Sequence, residues 1–408
     1  MRCKILFIIP TLDRCGAEKQ LTLLATNLPK DRFDVRVLLL TRGGPYLQTL
    51  LDSGIPVELV GKKGKLSLLA YFRVKRAIKR FKPDVVHTWL FAANAYGRKA
   101  AFACKVPVVI CGERCVDPWK GALHRWIDKK LEPKTDAYAV NSSGIVDFYS
   151  RNGIPSEKFV VIPNAVEPPT IETPLTKRRL LEELGLPAHV PAGVSEGKQA
   201  YFEELEIAGV SEQTDEPYII GLVARLWPQK RIKDALWAAD QLKFSLLNFY
   251  LIVIGDGPER DALLRYRDDL QLRDRVVFLG ERNDVERFMP CFDLLWNCSA
   301  YEGQSNSILE AQSFGVPVMA SDIPGNRDLV IPGVTGLLMS EFDGDDTRRR
   351  TGFSRETIRL LRSENKEILK NWGEAGKKRV AKEFSLTRMI ERYVELYERL
   401  LASKQKAQ

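Results

Sequence analysis

Residues 294–321 read LLWNCSAYEGQSNSILEAQSFGVPVMAS. A short apolar run, LLWNC, has the length and content of a buried strand. A polar loop follows, then a helical stretch from about Asn306 to Phe314. Gly315 ends the helix, and a second apolar run begins at Val316. Strand, helix and strand joined by short loops specify a parallel βαβ unit, which has to be covered by helices on both faces. The loop containing Glu302 and the helix start therefore lies at the carboxyl edge of a parallel sheet, where open α/β sheets bind ligands. Backbone amides near Ser305, Asn306 and Ser307 open the helix and suit a phosphate. Glu310 lies about one turn further in, within reach of hydroxyls on such a ligand. A plainer reading is available for part of this. Ser307 and Glu310 fit an S-x-x-E capping box, and Glu302 is then a solvated acid. That reading accounts for one glutamate and leaves the other without a role.

The same alternation extends in both directions. Towards the N-terminus, KILFII, DVRVLLL, PVELV, DVVHTW, PVVIC, AYAVN and FVVIP read as strands. Helical stretches such as AEKQLTLLATNLP and LLAYFRVKRAIKRF lie between them. In the second of these, Leu69, Phe72 and Ile78 fall near one face, with Arg73, Lys75 and Lys79 elsewhere. After the Pro-rich linker NAVEPPTIETPLTK the pattern restarts with YIIGLV, FYLIVIG, RVVFLG, LLWNC and VPVMAS. The expected fold is α/β, two Rossmann-like doubly wound domains facing across a cleft. The expected division is residues 1–168, 169–384 and a C-terminal helix, 385–408, crossing back to the first domain. Residues 190–216 are expected to be a surface insertion. In that last helix Met389, Tyr393, Leu396 and Leu400 form one apolar stripe that needs a partner surface, and Ser385 is its N-cap.

Composition narrows the class. The 408 residues are too many for one core, and 45% hydrophobic with 28% charged is ordinary soluble usage. The longest early apolar run, Ile5–Ile9, is too short for a secretory or membrane segment, so a cytoplasmic location is expected. Seven cysteines without CxxC pairing read as thiols rather than a metal site. The net charge of +9, from 62 basic and 53 acidic residues, favours an anionic ligand or surface. No nucleic-acid-binding signature accompanies it, so no nucleic-acid partner is expected. The first strand is followed by a lone Gly16 rather than G-x-G-x-x-G, which argues against a nicotinamide enzyme. Gly255 and Gly257, in VIGDGPERD, are two glycines without a third.

A second constellation lies in GLVARLWPQKRI. Arg225 and Lys230 fall on the first loop of the second unit, again at the carboxyl edge. Two cations near a helix start hold a diphosphate without a metal. Each alone reads as a surface cation, and the convergence of both loops on one edge is what gives them weight. Asp343 and Asp345 form a D-x-D, but in a highly charged stretch away from these loops, so no metal is expected.

With these blocks in view, the chain resembles the retaining GT-B glycosyltransferases, glycosyltransferase family 4. The matching stretches run in order: CGAEKQLTLLATNL, PDVVHTW, VNSSGIVDFYSRNGIPSEKFVVIPNAV, GLVARLWPQK, VIGDGPERDAL, the long block VVFLGERNDVERFMPCFDLLWNCSAYEGQSNSILEAQSFGVPVMASDIPGNRDLVIPGVTGLL, and FSLTRMIERYVELYERLL. The resemblance implies transfer of a sugar from a nucleotide-sugar donor, UDP- or GDP-linked, to a glycan or lipid-linked acceptor, with no cofactor. It implies that Glu310 binds the donor ribose, that Glu302 contacts the transferred sugar, and that Arg225 and Lys230 neutralise the leaving diphosphate. It implies that Gly16, with Ser305, Asn306 and Ser307, lies against the donor. His87, Glu113, Arg114 and Arg282 are candidates to line the cleft, and His87 reads equally as a structural histidine. Three departures stand out: CGAE for GGAE, Arg231 where a glycine is usual after Lys230, and Glu113–Arg114 where many members carry a histidine. Two other classes fit the architecture. An epimerase or hydrolase needs further acid/base groups, and the chain has three histidines. A scaffold that has lost catalysis would lack some of Arg225, Lys230 and the glutamates, and all are present. Residues 117–134, DPWKGALHRWIDKKLEPK, read either as an amphipathic helix resting on an anionic membrane, at its inner face, or as a helix whose aromatics are core.

Overall fold

The β-branched and aromatic runs form two wholly parallel sheets. The computed structural model describes residues 2–64, 66–171, 174–188, 216–243, 248–340 and 346–406. The chain divides into two compact units, residues 1–165 with 384–408, and residues 166–383.

In the first unit seven strands, β1 (Cys3–Ile9), β2 (Phe33–Leu39), β3 (Val57–Leu59), β4 (Val85–Trp89), β5 (Val108–Glu113), β6 (Ala137–Val140) and β7 (Phe159–Val161), lie in the order 3-2-1-4-5-6-7. β1 and β4 are neighbours, Ile5 opposite Val85. From that pair the chain winds outward in opposite directions, so the topological switch lies between them. The central strands are buried on both faces, as their unbroken apolar content requires.

The C-terminal helix, Leu386–Lys406, belongs to this first unit. Ser385 caps it, its hydroxyl accepting from the Arg388 amide at 3.4 Å. Met389, Tyr393, Leu396 and Tyr397 are buried among β1, β4, β5 and the helix Gly16–Asn27, with Leu400 half-buried beside them. Burying Met389 and Leu396 contributes roughly 1.5–3 kcal/mol each. The apolar stripe thus finds its partner on the first sheet.

Among the described residues the second unit holds six strands: β8 (Tyr218–Val223), β9 (Phe249–Ile254), β10 (Val276–Gly280), β11 (Leu294–Asn297), β12 (Val318–Asp322) and β13 (Gly336–Ser340), in the order 10-9-8-11-12-13. Five were expected. The sixth, β13, carries no β-branched residue and forms through its register with β12, Met319 opposite Leu337. The switch point falls between β8 and β11, which pair at Ile220 and Leu294. The helix Asn306–Ser313 is held from behind by the helix Lys366–Glu383. A side chain at Gly373 would lie 1.9 Å from the Gly315 carbonyl, so only glycine permits that crossing.

One expected face is corrected. The helix Leu68–Phe81 turns Ala70, Val74, Ala77, Ile78 and Phe81 inward. Leu69 and Phe72, read as sharing the face of Ile78, are instead 60% and 61% exposed. Residues 189–215, most of the expected insertion, and Asp343 and Asp345 lie outside the described residues.

Candidate active site

The loop after β8 is built on close backbone contacts. The Leu226 amide donates to the Asp256 carbonyl at 2.9 Å, and the Glu259 amide donates to the Leu226 carbonyl at 3.1 Å. Side chains at Gly255 and Gly257 would lie 1.9 Å from the Ala224 carbonyl and 2.4 Å from the Leu226 carbonyl. Gly255 also has φ +138°. These two glycines, uninformative as a motif, let the β9 loop clamp the β8 loop. With Leu226 buried beneath, Arg225 is directed outward, its guanidinium 5.5 Å from the ring centroid of Trp227. Pro228–Lys230 makes one tight turn, and the helix Ile232–Leu242 follows. Arg231, at the join, has φ +54°, the left-handed region where glycine is unstrained, and pairs with Asp234. The departure from the family's glycine therefore falls where it costs backbone strain.

The loop after β11 is held by amides and hydroxyls. Asn326 donates to the Asn297 side-chain carbonyl at 3.3 Å, and Asn297 donates to the Ser305 hydroxyl at 3.0 Å. The Ser305 and Ser307 hydroxyls are 2.9 Å apart. Ser299 donates to the Glu302 carboxylate at 2.8 Å. A side chain at Gly325 would lie 1.9 Å from the Gly303 carbonyl, so the β12 loop packs directly under this one. Ser305 is the N-cap of the helix Asn306–Ser313, yet it makes no side-chain cap bond. The Ser307–Glu310 capping box does not form, because the N-cap is Ser305, two residues before Ser307, and Ser307 is already inside the helix. Asn306, Ser307 and Glu310 are half-buried at this helix start.

The two loops are joined across the switch point. Lys230 Nζ and Glu302 Oε1 form an ion pair, their side chains 14% and 8% exposed. Gln229 donates to the Tyr301 carbonyl at 2.7 Å, and the Ala300 amide donates to the Gln229 carbonyl at 2.8 Å. A cationic loop, a buried carboxylate and a helix N-terminus thus share one strand junction. Such an arrangement attracts an anion to the cations and helix start, and leaves a carboxylate beside it to accept hydrogen bonds from hydroxyls.

The remaining expected residues are distributed differently. Gly16 is exposed at the start of the helix Gly16–Asn27, at the carboxyl end of β1 and thus at the first unit's own switch point. Gly44, which the sequence reading passed over, closes the β2 loop onto it; a side chain there would lie 2.3 Å from the Leu12 carbonyl. Arg282, in the loop after edge strand β10, holds Asp284 with two bonds of 2.8 Å.

His87, Glu113 and Arg114, expected to line a cleft, are instead buried in the first unit, 0%, 2% and 7% exposed. His87 Nδ1 is 2.9 Å from the Tyr397 hydroxyl, and burial, with the Arg114 charge beside it, lowers its pKa to about 3. Arg114 lies 4.6 Å from the Trp89 ring and donates to Tyr393 at 3.2 Å and to Asn164. Glu113 belongs to a buried network. Lys120 bonds Glu113 and Asp128 at 3.1 Å and Tyr149 at 2.7 Å, and Arg98 bonds Asp128 at 2.6 Å. Burial pushes the Glu113 pKa up to about 7 against the opposing pull of Lys120. The C-terminal helix, more than 270 positions away in sequence, supplies the tyrosines that cover this edge.

Residues outside the sequence reading support the second-unit site. Ser299, Asn297 and Asn326 position Glu302 and Ser305. The buried polar pair Asn297–Asn326, one at a strand end and the other just beyond the next, was the available signal. Among the described residues no group of three or more His, Cys, Asp or Glu is arranged to hold a metal.

Comparison with known proteins adds identity to this geometry. The glycosyltransferase family 4 profile matches residues 15–168, and the profile of glycosyl transferases group 1 matches residues 204–379. An Escherichia coli UDP-Gal:alpha-D-GlcNAc-diphosphoundecaprenol alpha-1,3-galactosyltransferase is 24% identical over 399 residues, covering 92% of each chain. A Streptomyces kanamyceticus 2-deoxystreptamine glucosyltransferase is 26% identical, covering 81% of this chain and 83% of that one. Among solved structures, Anabaena Alr3699/HepE in complex with UDP-glucose superposes with a TM-score of 0.75 at 21% identity, over 97% of this chain and 99% of that one. The two profiles, taken in order along the two units, make this chain a GT-B glycosyltransferase of the family 4 type.

Proposed function

We propose that this glycosyltransferase transfers a hexose, with retention, from a nucleoside diphosphate sugar to a glycan or lipid-linked acceptor, without a metal ion. The single observation that carries the reading is the junction of Lys230 and Glu302 at the β8–β11 switch point. In the transfer the bond between sugar C1 and the diphosphate oxygen breaks, and its electron pair leaves with the diphosphate. The acceptor hydroxyl oxygen bonds to C1 from the side the diphosphate leaves, and its proton passes to the departing diphosphate oxygen. Arg225 and Lys230 stabilise the charge that grows on the departing diphosphate, helped by the start of the helix Asn306–Ser313. Positive charge from side chains and helix stands where other transferases use a divalent ion. Glu302, released from Lys230 as the phosphate arrives, accepts from hydroxyls of the transferred sugar, and Glu310 accepts from those of the ribose.

The relatives' own substrates support the donor class. One is a UDP-galactose-dependent enzyme acting on a diphosphoundecaprenol-linked sugar, and Alr3699/HepE binds UDP-glucose. A role in cell-surface polysaccharide synthesis follows from the first. Such an acceptor puts the enzyme at the cytoplasmic face of a membrane. The segment with Trp119, Leu123 and Trp126, 54%, 65% and 57% exposed, provides the contact. No helix among the described residues is long and apolar enough to cross a membrane.

A thermal-shift panel of UDP- and GDP-sugars with chelator present tests the donor and metal readings together. A stabilising nucleotide sugar, followed by turnover in excess chelator, is expected. Stabilisation only on adding Mg²⁺ or Mn²⁺ contradicts the metal-free reading.

A further inference from the structure

Within seven residues Leu66, Leu68, Leu69 and Phe72 are 89%, 80%, 60% and 61% exposed. Scattered surface leucines need no explanation, but four large apolar side chains at one helix start do. They are not a frayed end. Ser67 caps the helix Leu68–Phe81, its hydroxyl accepting from the Ala70 amide at 3.2 Å, and its own amide donates to the Tyr96 hydroxyl at 2.7 Å. The charge around them has one sign. Residues 61–82 hold nine lysines and arginines and no aspartate or glutamate. Lys63, Arg76 and Lys79 are exposed.

The patch also has a neighbour. The helix Leu68–Phe81 packs against the helix Phe91–Ala103, which in turn packs against the helix Ala122–Leu131. All three are crossovers on one face of the first sheet, so their N-termini rise together at its carboxyl edge. Phe91, at the start of the middle helix, lies 5.8 Å from the Trp119 ring. Leu66–Phe72 and Trp119–Trp126 therefore flank one helix at one end of the same layer. The only acids between residues 118 and 134, Asp128 and Glu132, are occupied by Arg98 with Lys120 and by Lys158.

We propose that Leu66, Leu68, Leu69 and Phe72 are a second insertion point into an anionic lipid bilayer, acting together with Trp119, Leu123 and Trp126. The inference rests on the membrane-facing reading above and extends it to a two-pronged footprint. Large apolar side chains ringed by cations, of which Arg80 pairs with Glu58, match an acyl boundary beneath anionic headgroups. A second copy of this chain would bring the same positive charge against it and be repelled.

The test uses the full chain, sedimented with vesicles of phosphatidylglycerol and phosphatidylcholine in equal parts, or of phosphatidylcholine alone. The wild type should bind the anionic vesicles, less so as salt rises. The triple variant Leu68→Ser, Leu69→Ser, Phe72→Ser should bind about tenfold more weakly, with its thermal unfolding unchanged. The pair Trp119→Ser, Trp126→Ser should lose a similar amount. If the tryptophan pair loses binding and the triple variant does not, the second prong is overturned and the first contact stands. If the wild type ignores both vesicles, both fall. A dimer in sedimentation velocity that the triple variant abolishes would make this face a copy–copy interface and overturn the lipid assignment.

Discussion

The two sheets of this enzyme place charges at corresponding carboxyl edges and use them in opposite ways. In the first unit Glu113 and Arg114 end β5 and turn inward. Lys120, Asp128, Arg98 and Tyr149 close around Glu113, and Tyr393 with Asn164 closes around Arg114. In the second unit Arg225 faces outward and Lys230 meets Glu302 across the β8–β11 junction. Ionisable residues at a sheet edge are therefore not enough to mark a site. What separates the two edges is whether other elements of the unit cover the charges. The C-terminal helix covers the first.

The comparison makes its strongest claim about Lys120. Lys120→Met leaves Glu113, Asp117 and Asp128 facing one another without their shared cation. It should cost about 3–5 kcal/mol in urea unfolding. A loss under ~1 kcal/mol would mean that this network is more solvated than its burial implies.

At the open edge the expected effect moves from stability to rate. Arg225→Ala should leave urea unfolding within about 0.5 kcal/mol and lower kcat roughly 10²–10³-fold. Lys230→Ala should lower kcat similarly, with some loss of stability because Glu302 is left buried and unpaired. Steady-state kinetics beside unfolding curves separate the cases. An Arg225 variant that unfolds early but turns over normally would erase the contrast between the edges.

Intermediate in size is the pH response of His87. Its folded pKa, about 3, lies below the ordinary 6.5, so the unfolded chain takes up the proton first. Stability from this group is complete above pH 6.5 and falls as pH drops towards 3, by about 1.4 kcal/mol per pH unit. Glu113, raised to about 7, has the opposite sign, since its folded form holds a proton the unfolded form has released. The clean readout is therefore the difference between wild type and His87→Gln, followed from pH 7 to 4. A difference that stays flat would place His87 in contact with solvent.

The smallest effect is expected at Arg231. Replacing it with glycine relieves a left-handed backbone but removes the pair with Asp234. Stability should change by less than about 1 kcal/mol, with turnover kept. A loss of turnover matching Lys230→Ala would make Arg231 part of the machinery.

How far the sequence carried can be read from particular residues. Of the thirteen strands among the described residues, twelve were legible because apolar runs of the right length alternate with helical periodicity. β13 was not, since Gly336–Ser340 has leucines and methionine where β-branched residues would announce a strand. The C-terminal stripe declared that a partner surface existed, and the fold supplied the first sheet. The meeting of Lys230 with Glu302 spans 72 positions, and no local pattern encodes it. The sheet-edge rule and the family resemblance pointed to it. The choice between a cleft-lining and a structural His87 was undecidable locally for the same reason, because Tyr397, which covers it, is 310 positions away. Leu69 and Phe72 were misplaced against their own spacing: nine and six residues from Ile78, at about 100° per residue, put them roughly 180° and 120° round the helix from it. Which face is buried depends on where the neighbouring helix lies.

The central claim is that the second unit's β8–β11 edge holds the donor. Isothermal titration calorimetry of Glu310→Ala against the nucleotide sugar that most stabilises the wild type tests it most directly. The account predicts binding weakened by about 10- to 100-fold, from the loss of hydrogen bonds to a charged acceptor, in a protein that unfolds like the wild type. Wild-type affinity in that variant would contradict it.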